Sequence, residues 1–137
     1  MATPARIPVV ALVTSDSDRY VLASVSGQDS LEVRFAESCE EAYTVANRMA
    51  APVILLDRDL LGTEWKTAVK SLADSPHGPC VILMSGVVDD YLRQELIRRG
   101  GYDVLPKPLR ADQVTPLVKL ALSYWTSAPK PAVQARR

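Results

Sequence analysis

The stretch Val53-Ile54-Leu55-Leu56-Asp57-Arg58-Asp59-Leu60-Leu61-Gly62-Thr63 constrains the fold more than any other part of the chain. Four apolar residues, β-branched at the front, read as a strand buried on both faces, and such a strand belongs to a parallel sheet covered by helices. The run stops abruptly at a carboxylate, which puts Asp57 at the strand's C-terminal end. In open α/β sheets ligands collect in the crevice outside those ends, so an acid there has a chemical reading. The competing reading is local, with Asp57 or Asp59 capping a following helix. Three further strand ends with polar residues favour the first.

Val9 to Val13 forms a first apolar run, ending at Thr14 and Ser15. Asp16, Ser17 and Asp18 are N-cap candidates for a short helix with Val21, Leu22 and Val25 on one side, closed by Gly27-Gln28-Asp29-Ser30. Leu31, Val33 and Phe35 alternate with wetter residues, which predicts an edge strand. Ser38 then caps a helix carrying Ala42, Val45, Ala46 and Met49 on one stripe. After the strand that ends at Asp57, Trp65, Ala68, Val69 and Leu72 repeat the helical spacing, and Asp74 to Pro79 breaks the helix. Cys80 to Met84 is the fourth strand, ending at Ser85-Gly86. Asp89 and Asp90 open a helix with Leu92, Leu96 and Ile97 inward, and Arg98-Arg99 before Gly100-Gly101 close it. Tyr102 to Leu105 is a short fifth strand, broken by Pro106-Lys107-Pro108. A last helix starts near Ala111 and runs to Trp125, with Pro116 early enough to be tolerated.

Five strands alternating with five helices predict an α/β fold, a doubly wound five-stranded parallel sheet with both faces covered. Five such units in a chain this short favour the flavodoxin-like (βα)5 order 2-1-3-4-5. At 137 residues there is room for one domain, expected over residues 1–126, with 127–137 a disordered basic tail or truncated linker. Sixteen basic and sixteen acidic residues cancel, which leaves no charge excess suited to nucleic acid, and the cations of Lys130 to Arg137 lack an aromatic platform. No apolar run approaches the roughly 20 residues that span a bilayer. Pro8 interrupts the only run resembling a signal core, and no cleavage site follows. Cys39 and Cys80 lack metal-ligand spacing and read as reduced, buried residues of a cytoplasmic protein.

In that strand order the first, third, fourth and fifth strand ends meet, bringing Ser15 and Asp16, Asp57 and Asp59, Ser85, and Lys107 to one rim. Carboxylates brought together repel and are stabilised by a hard divalent cation, and oxygen-only ligands with water suit Mg2+. With such a cation and Lys107 facing it, Asp57 is placed to attack a phosphoryl group, while Ser85 donates to one of its oxygens. Each residue also has an ordinary reading, Lys-Pro as a surface turn and Ser at a strand end as a cap. Agreement among four strand ends is what favours the site. His77, the only histidine, lies in a Pro/Gly loop with surface placement expected, and no nucleophilic triad assembles around it.

Ser15-Asp16, Leu55-Leu56-Asp57 with Gly62, Leu83-Met84-Ser85-Gly86, and Gly101-Tyr102-Asp103-Val104-Leu105-Pro106-Lys107-Pro108-Leu109 together resemble the receiver domain of two-component response regulators, over about Ile7 to Trp125. The resemblance implies that Asp57 accepts a phosphoryl group from the phosphohistidine of a sensor histidine kinase or phosphotransfer protein. It implies that Asp16 and Asp57 bind Mg2+ with the backbone carbonyl of Asp59, that Ser85 and Lys107 hold the phosphate, and that the Lys107-Pro108 bond is cis. Such a domain is a phosphoacceptor that assists its own phosphotransfer and dephosphorylation rather than an enzyme. Its output is contact with a protein whose identity the sequence leaves open, or homodimerisation, through the fourth helix, fifth strand and fifth helix.

Three departures stand out. Ser15 replaces the first of two acids, so it reaches the metal at most through a water. Val104 replaces the family's Tyr or Phe three residues before the lysine, and Leu60-Leu61-Gly62 replaces the common Met-Pro-Gly. The first two support an alternative, a degenerate receiver that binds a partner without phosphorylation. A haloacid-dehalogenase-type phosphatase shares an Asp-x-Asp with a later Ser and Lys, but its motif opens the chain, whereas two βα units precede Asp57 here. A flavin-binding flavodoxin is disfavoured because Thr14 to Arg19 contains no glycine to wrap a phosphate.

Overall fold

The computed structural model describes residues 6–13, 15–27, 30–61 and 64–127. Residues 1–5, Thr14, Gln28, Asp29, Gly62, Thr63 and residues 128–137 of the expected tail lie outside the described residues, while Ser127, expected to open that tail, ends the last helix. The elements run β1 (Ile7–Leu12), α1 (Asp16–Val25), β2 (Leu31–Ala36), α2 (Cys39–Met49), β3 (Val53–Asp57), α3 (Arg58–Leu61), α4 (Trp65–Ala73), β4 (Cys80–Ser85), α5 (Asp90–Arg98), β5 (Asp103–Pro106) and α6 (Ala111–Ser127). All pairings are parallel and the sheet order is β2-β1-β3-β4-β5, as expected. No helix among the described residues is long and apolar enough to cross a membrane.

Strand alternation sorts the core into two layers. Val9, Ala11, Val53, Leu55, Ile82, Met84 and Leu105 face one side, with Leu22 and Val25 of α1 and Val114, Val118 and Ala121 of α6. Val10, Leu12, Ile54, Leu56, Val81, Leu83 and Val104 face the other, with α2, α4 and α5. β3 is buried along its whole length, whereas β2 exposes part of one face at the sheet edge. This is why β3 reads as an unbroken apolar run and β2 as an alternation.

Several local expectations change. The N-cap of α1 is Ser15, whose hydroxyl accepts from the Asp18 amide, so none of Asp16, Ser17 and Asp18 is the cap. Asp57 is followed directly by the four-residue helix α3 rather than by an open loop. Ile97, expected inward on α5, is 62% exposed, because the sheet-facing stripe of that helix is only as wide as Leu92 and Leu96. Cys39 is only half-buried, whereas Cys80 is buried with its thiol donating to the Ala121 carbonyl at 3.4 Å. His77 is half-buried rather than a surface residue. Its Nε2 donates to the Ala51 carbonyl at 2.9 Å, and its own carbonyl accepts from Trp125 Nε1 at 3.1 Å. That loop therefore ties the entry of β3 to the end of α6.

Two helices end with paired reverse hydrogen bonds around a left-handed residue. In α5 the amide of Gly100 (φ 94°) donates to the Ile97 carbonyl at 3.0 Å, and Gly101 donates to Leu96 at 2.9 Å. At α2 the same pair runs from Ala50 to Asn47 at 3.3 Å and from Ala51 to Ala46 at 2.9 Å, but the left-handed residue is Ala50 (φ 53°). A Cβ is disfavoured in that conformation and glycine is not. Ala50→Gly is therefore expected to stabilise the chain by about 0.5–1 kcal/mol, read as a higher midpoint in urea, the strain relieved exceeding the added freedom of the unfolded chain. Gly101 presents the opposite case. A Cβ there would meet Cδ1 of the fully buried Leu96 and lie 2.6 Å from its Cγ and 3.1 Å from its carbonyl oxygen. Gly101→Ala should destabilise by about 1–3 kcal/mol in the same measurement.

Candidate functional site

The site is assembled from three chain segments that the sheet order makes neighbours. β1 lies between β2 and β3, so the chain reverses direction of winding there and a crevice opens at the strand ends. With Ser15 as cap, Asp16 is the first residue of α1 and Asp18 the third. Two positions on a helix are about 200° apart, so the two acids point in opposite directions. Asp16 is exposed, whereas Asp18 is buried at 4% exposure on the crevice side. At the end of β3, Asp57 is 2% exposed, and its Oδ1 accepts from the Asp59 amide at 2.9 Å. Asp57 thus does both things considered for it: it caps α3 and it faces the crevice.

Lys107 follows β5, its amide donating to the Ser85 carbonyl at 2.9 Å, and the Lys107-Pro108 bond is cis. Its ammonium donates to Asp57 Oδ1 at 3.2 Å and Oδ2 at 3.1 Å. It also lies 3.0 Å from Asp18 Oδ2 and 3.5 Å from Asp59 Oδ2. Burial alone lowers the pKa of this amine, but hydrogen bonds and charge from Asp18 and Asp57 outweigh it and hold the group above the ordinary lysine value. Lys107 is therefore a permanent cation at the centre of the acids. Asp18 Oδ2 is buried, and among the described residues Lys107 is its one positive neighbour.

Of the residues expected at the site, Asp57, Asp59 and Lys107 are brought together. Asp16 is not, and Asp18 takes the place expected for it. The missed signal was the choice of cap: Ser15 as cap fixes the helix phase and turns the third helical residue inward. Ser15 itself is engaged in capping, with its hydroxyl 2.9 Å from that of Ser17. Ser85 is fully buried at the rim, but its hydroxyl donates to the Val87 carbonyl at 2.7 Å and accepts from the Val87 amide at 3.0 Å, so it is turned into its own loop. Val104 is buried at 3% exposure in the same layer as Leu92 and Leu96 of α5. Beside the acids a cleft opens between α3, α4 and α5, lined by Arg58, Asp59, Trp65, Lys66, Val87 and Tyr91 among others.

The fit of a metal follows from the donors. Among the described residues no three His, Cys, Asp or Glu side chains gather about one point, so a cage made of protein alone is absent there. A hard cation that keeps most of its waters needs only one or two carboxylates, which Asp57 and its neighbours supply.

The family model for the response regulator receiver domain matches residues 7–119. No curated protein sequence matches the chain. Among solved structures, the fold is similar to a response regulator from Thermotoga maritima, at 24% identity and a TM-score of 0.74 over 85% of this chain and 98% of that one. It is also similar to the chemotaxis response regulator CheY4 of Vibrio cholerae, at 18% identity and a TM-score of 0.75 over 85% and 99%. NtrX from Brucella abortus matches at 23% identity and a TM-score of 0.76 over 96% of this chain but 30% of its own length. At these identities the likeness speaks for fold, whereas the family model spans most of the chain. The chain belongs to the receiver domains of two-component response regulators.

Proposed function

We propose that this receiver accepts a phosphoryl group on Asp57 from the phosphohistidine of a sensor histidine kinase or phosphotransfer protein, with Mg2+ bound, and that the modified form changes its protein contacts. The observation that carries this reading is the Asp57 carboxylate at the end of β3 with the Lys107 ammonium on both of its oxygens, at 3.2 and 3.1 Å. One oxygen attacks phosphorus as the phosphorus–nitrogen bond breaks, and the electron pair leaves on the donor's imidazole. Mg2+ supplies positive charge to the phosphoryl oxygens. Lys107 shields the incoming charge from the neighbouring acids, and the Asp59 amide holds Asp57 in orientation. Ser85 has to exchange its bonds with Val87 for one to the phosphoryl group. Such a donor is met in the cytoplasm, which sets the proposed location.

The output surface proposed for docking a partner or a second copy is the face of α5, β5 and α6. Ile97, Leu120 and Tyr124 are 62%, 60% and 59% exposed there, and Tyr102 packs on Tyr124 with ring centroids 5.5 Å apart. Two observations favour the second reading, a receiver that binds without phosphorylation: the doubly bonded Ser85 hydroxyl and the Val104 side chain sealed in the core.

Acetyl phosphate with Mg2+ separates the two. Mass spectrometry is expected to show one phosphoryl group on the native chain and none on Asp57→Asn; a native chain that gains no mass supports phosphorylation-independent binding instead. Lys107→Met should lose most of that transfer. In EDTA it should also be less stable than the native chain by about 2 kcal/mol in urea unfolding, because Asp18 and Asp57 are left buried without their counter-charge.

A further inference from the structure

We infer that Asp18, from the first turn of α1, is the second carboxylate of the cation site that Asp57 begins, in the role the sequence assigned to Asp16. The inference rests on the Mg2+ reading above and specifies which acid serves it.

Helix phase is the first support. Once Ser15 caps α1, Asp16 and Asp18 lie on opposite sides, and only one of them can face Asp57. Asp18 is that one, with a side chain 5% exposed and in ion-pair range of the same ammonium that touches Asp57. Charge balance is the second. Among the described residues, the three acids Asp18, Asp57 and Asp59 have two cations within range, Lys107 and Arg58, the latter 3.7 Å from Asp59, one positive charge fewer than the negative ones. The third is the burial of Asp18 Oδ2, a carboxylate oxygen whose one positive neighbour among the described residues, the Lys107 ammonium at 3.0 Å, is shared with Asp57 and Asp59. A buried acid left this way is costly unless another positive partner reaches it. Two carboxylates with water completing the shell make up the donor set that Mg2+ prefers.

A competing role is that Asp18 only positions Lys107. Titration with MgCl2 alone distinguishes the two, followed by tryptophan fluorescence, since Trp65 and Asp59 line the same cleft, and by the rise in melting temperature on adding Mg2+. The native chain and Asp16→Asn are expected to bind alike, whereas Asp18→Asn weakens Mg2+ binding by about tenfold or more. Equal binding by Asp18→Asn and the native chain overturns the inference and leaves the cation reading standing. Loss of binding in Asp16→Asn alone also overturns it. A native chain that binds no Mg2+ removes both. Should Asp18→Asn not fold, crystals of the native chain soaked in MnCl2 decide the matter: an anomalous peak in bonding contact with Asp18 supports the assignment, and a peak without that contact overturns it.

Discussion

A single ammonium shared between buried carboxylates holds the functional end of this molecule together. Lys107 follows β5, Asp57 ends β3, and Asp18 lies one turn beyond β1, so the charge cluster spans the sheet across three of its segments. Burying any one of these groups alone is costly, and each is tolerated because the others are present. The arrangement therefore constrains where α1 begins and how the chain leaves β5. It also keeps Asp57, the proposed phosphoacceptor, beside a fixed positive charge.

The sheet order is what makes that convergence possible. β1 and β3 are the strands from which the chain winds in opposite directions, α1 leaving β1 over one face and α4, after α3, leaving β3 over the other. The two helix connections diverge there and leave a crevice, and the acids occupy it. Away from the crevice both faces are sealed by alternating strand residues, so the rest of the domain acts as a rigid frame. Val104 belongs to that frame, in the layer beneath α5. Any movement of α5 on phosphorylation would have to proceed without an aromatic ring at that position.

Where the sequence reading and the structure differ, the cause is a direction fixed by helix phase or by a distant neighbour. The sequence reading placed Asp16 at the rim and took Asp18 only as a cap candidate, but proximity along the chain does not set direction on a helix. The Ser15 cap does. Ile97 fits an apolar stripe on paper, yet α5 buries only Leu92 and Leu96 and leaves Ile97 for solvent or a partner. His77 sits in a Pro/Gly loop that reads as surface, but the loop packs back onto Ala51 and Trp125 through bonds between residues far apart in sequence.

What the sequence by itself determined is the architecture and the anchors of the site. Unbroken apolar runs identify strands covered on both faces, helical stripes identify the covers, and the residues Asp57 and Lys107 stand where such strands must end. Those features are local and repeat with fixed periods, so they are legible without coordinates. Only the tertiary structure decided that Asp18 rather than Asp16 meets the ammonium, that the Ser85 hydroxyl is turned into its own loop, and that α3 begins directly at Asp57. Those outcomes depend on directions of side chains fixed by caps and by neighbours distant in the chain, and no periodicity in the sequence encodes a direction.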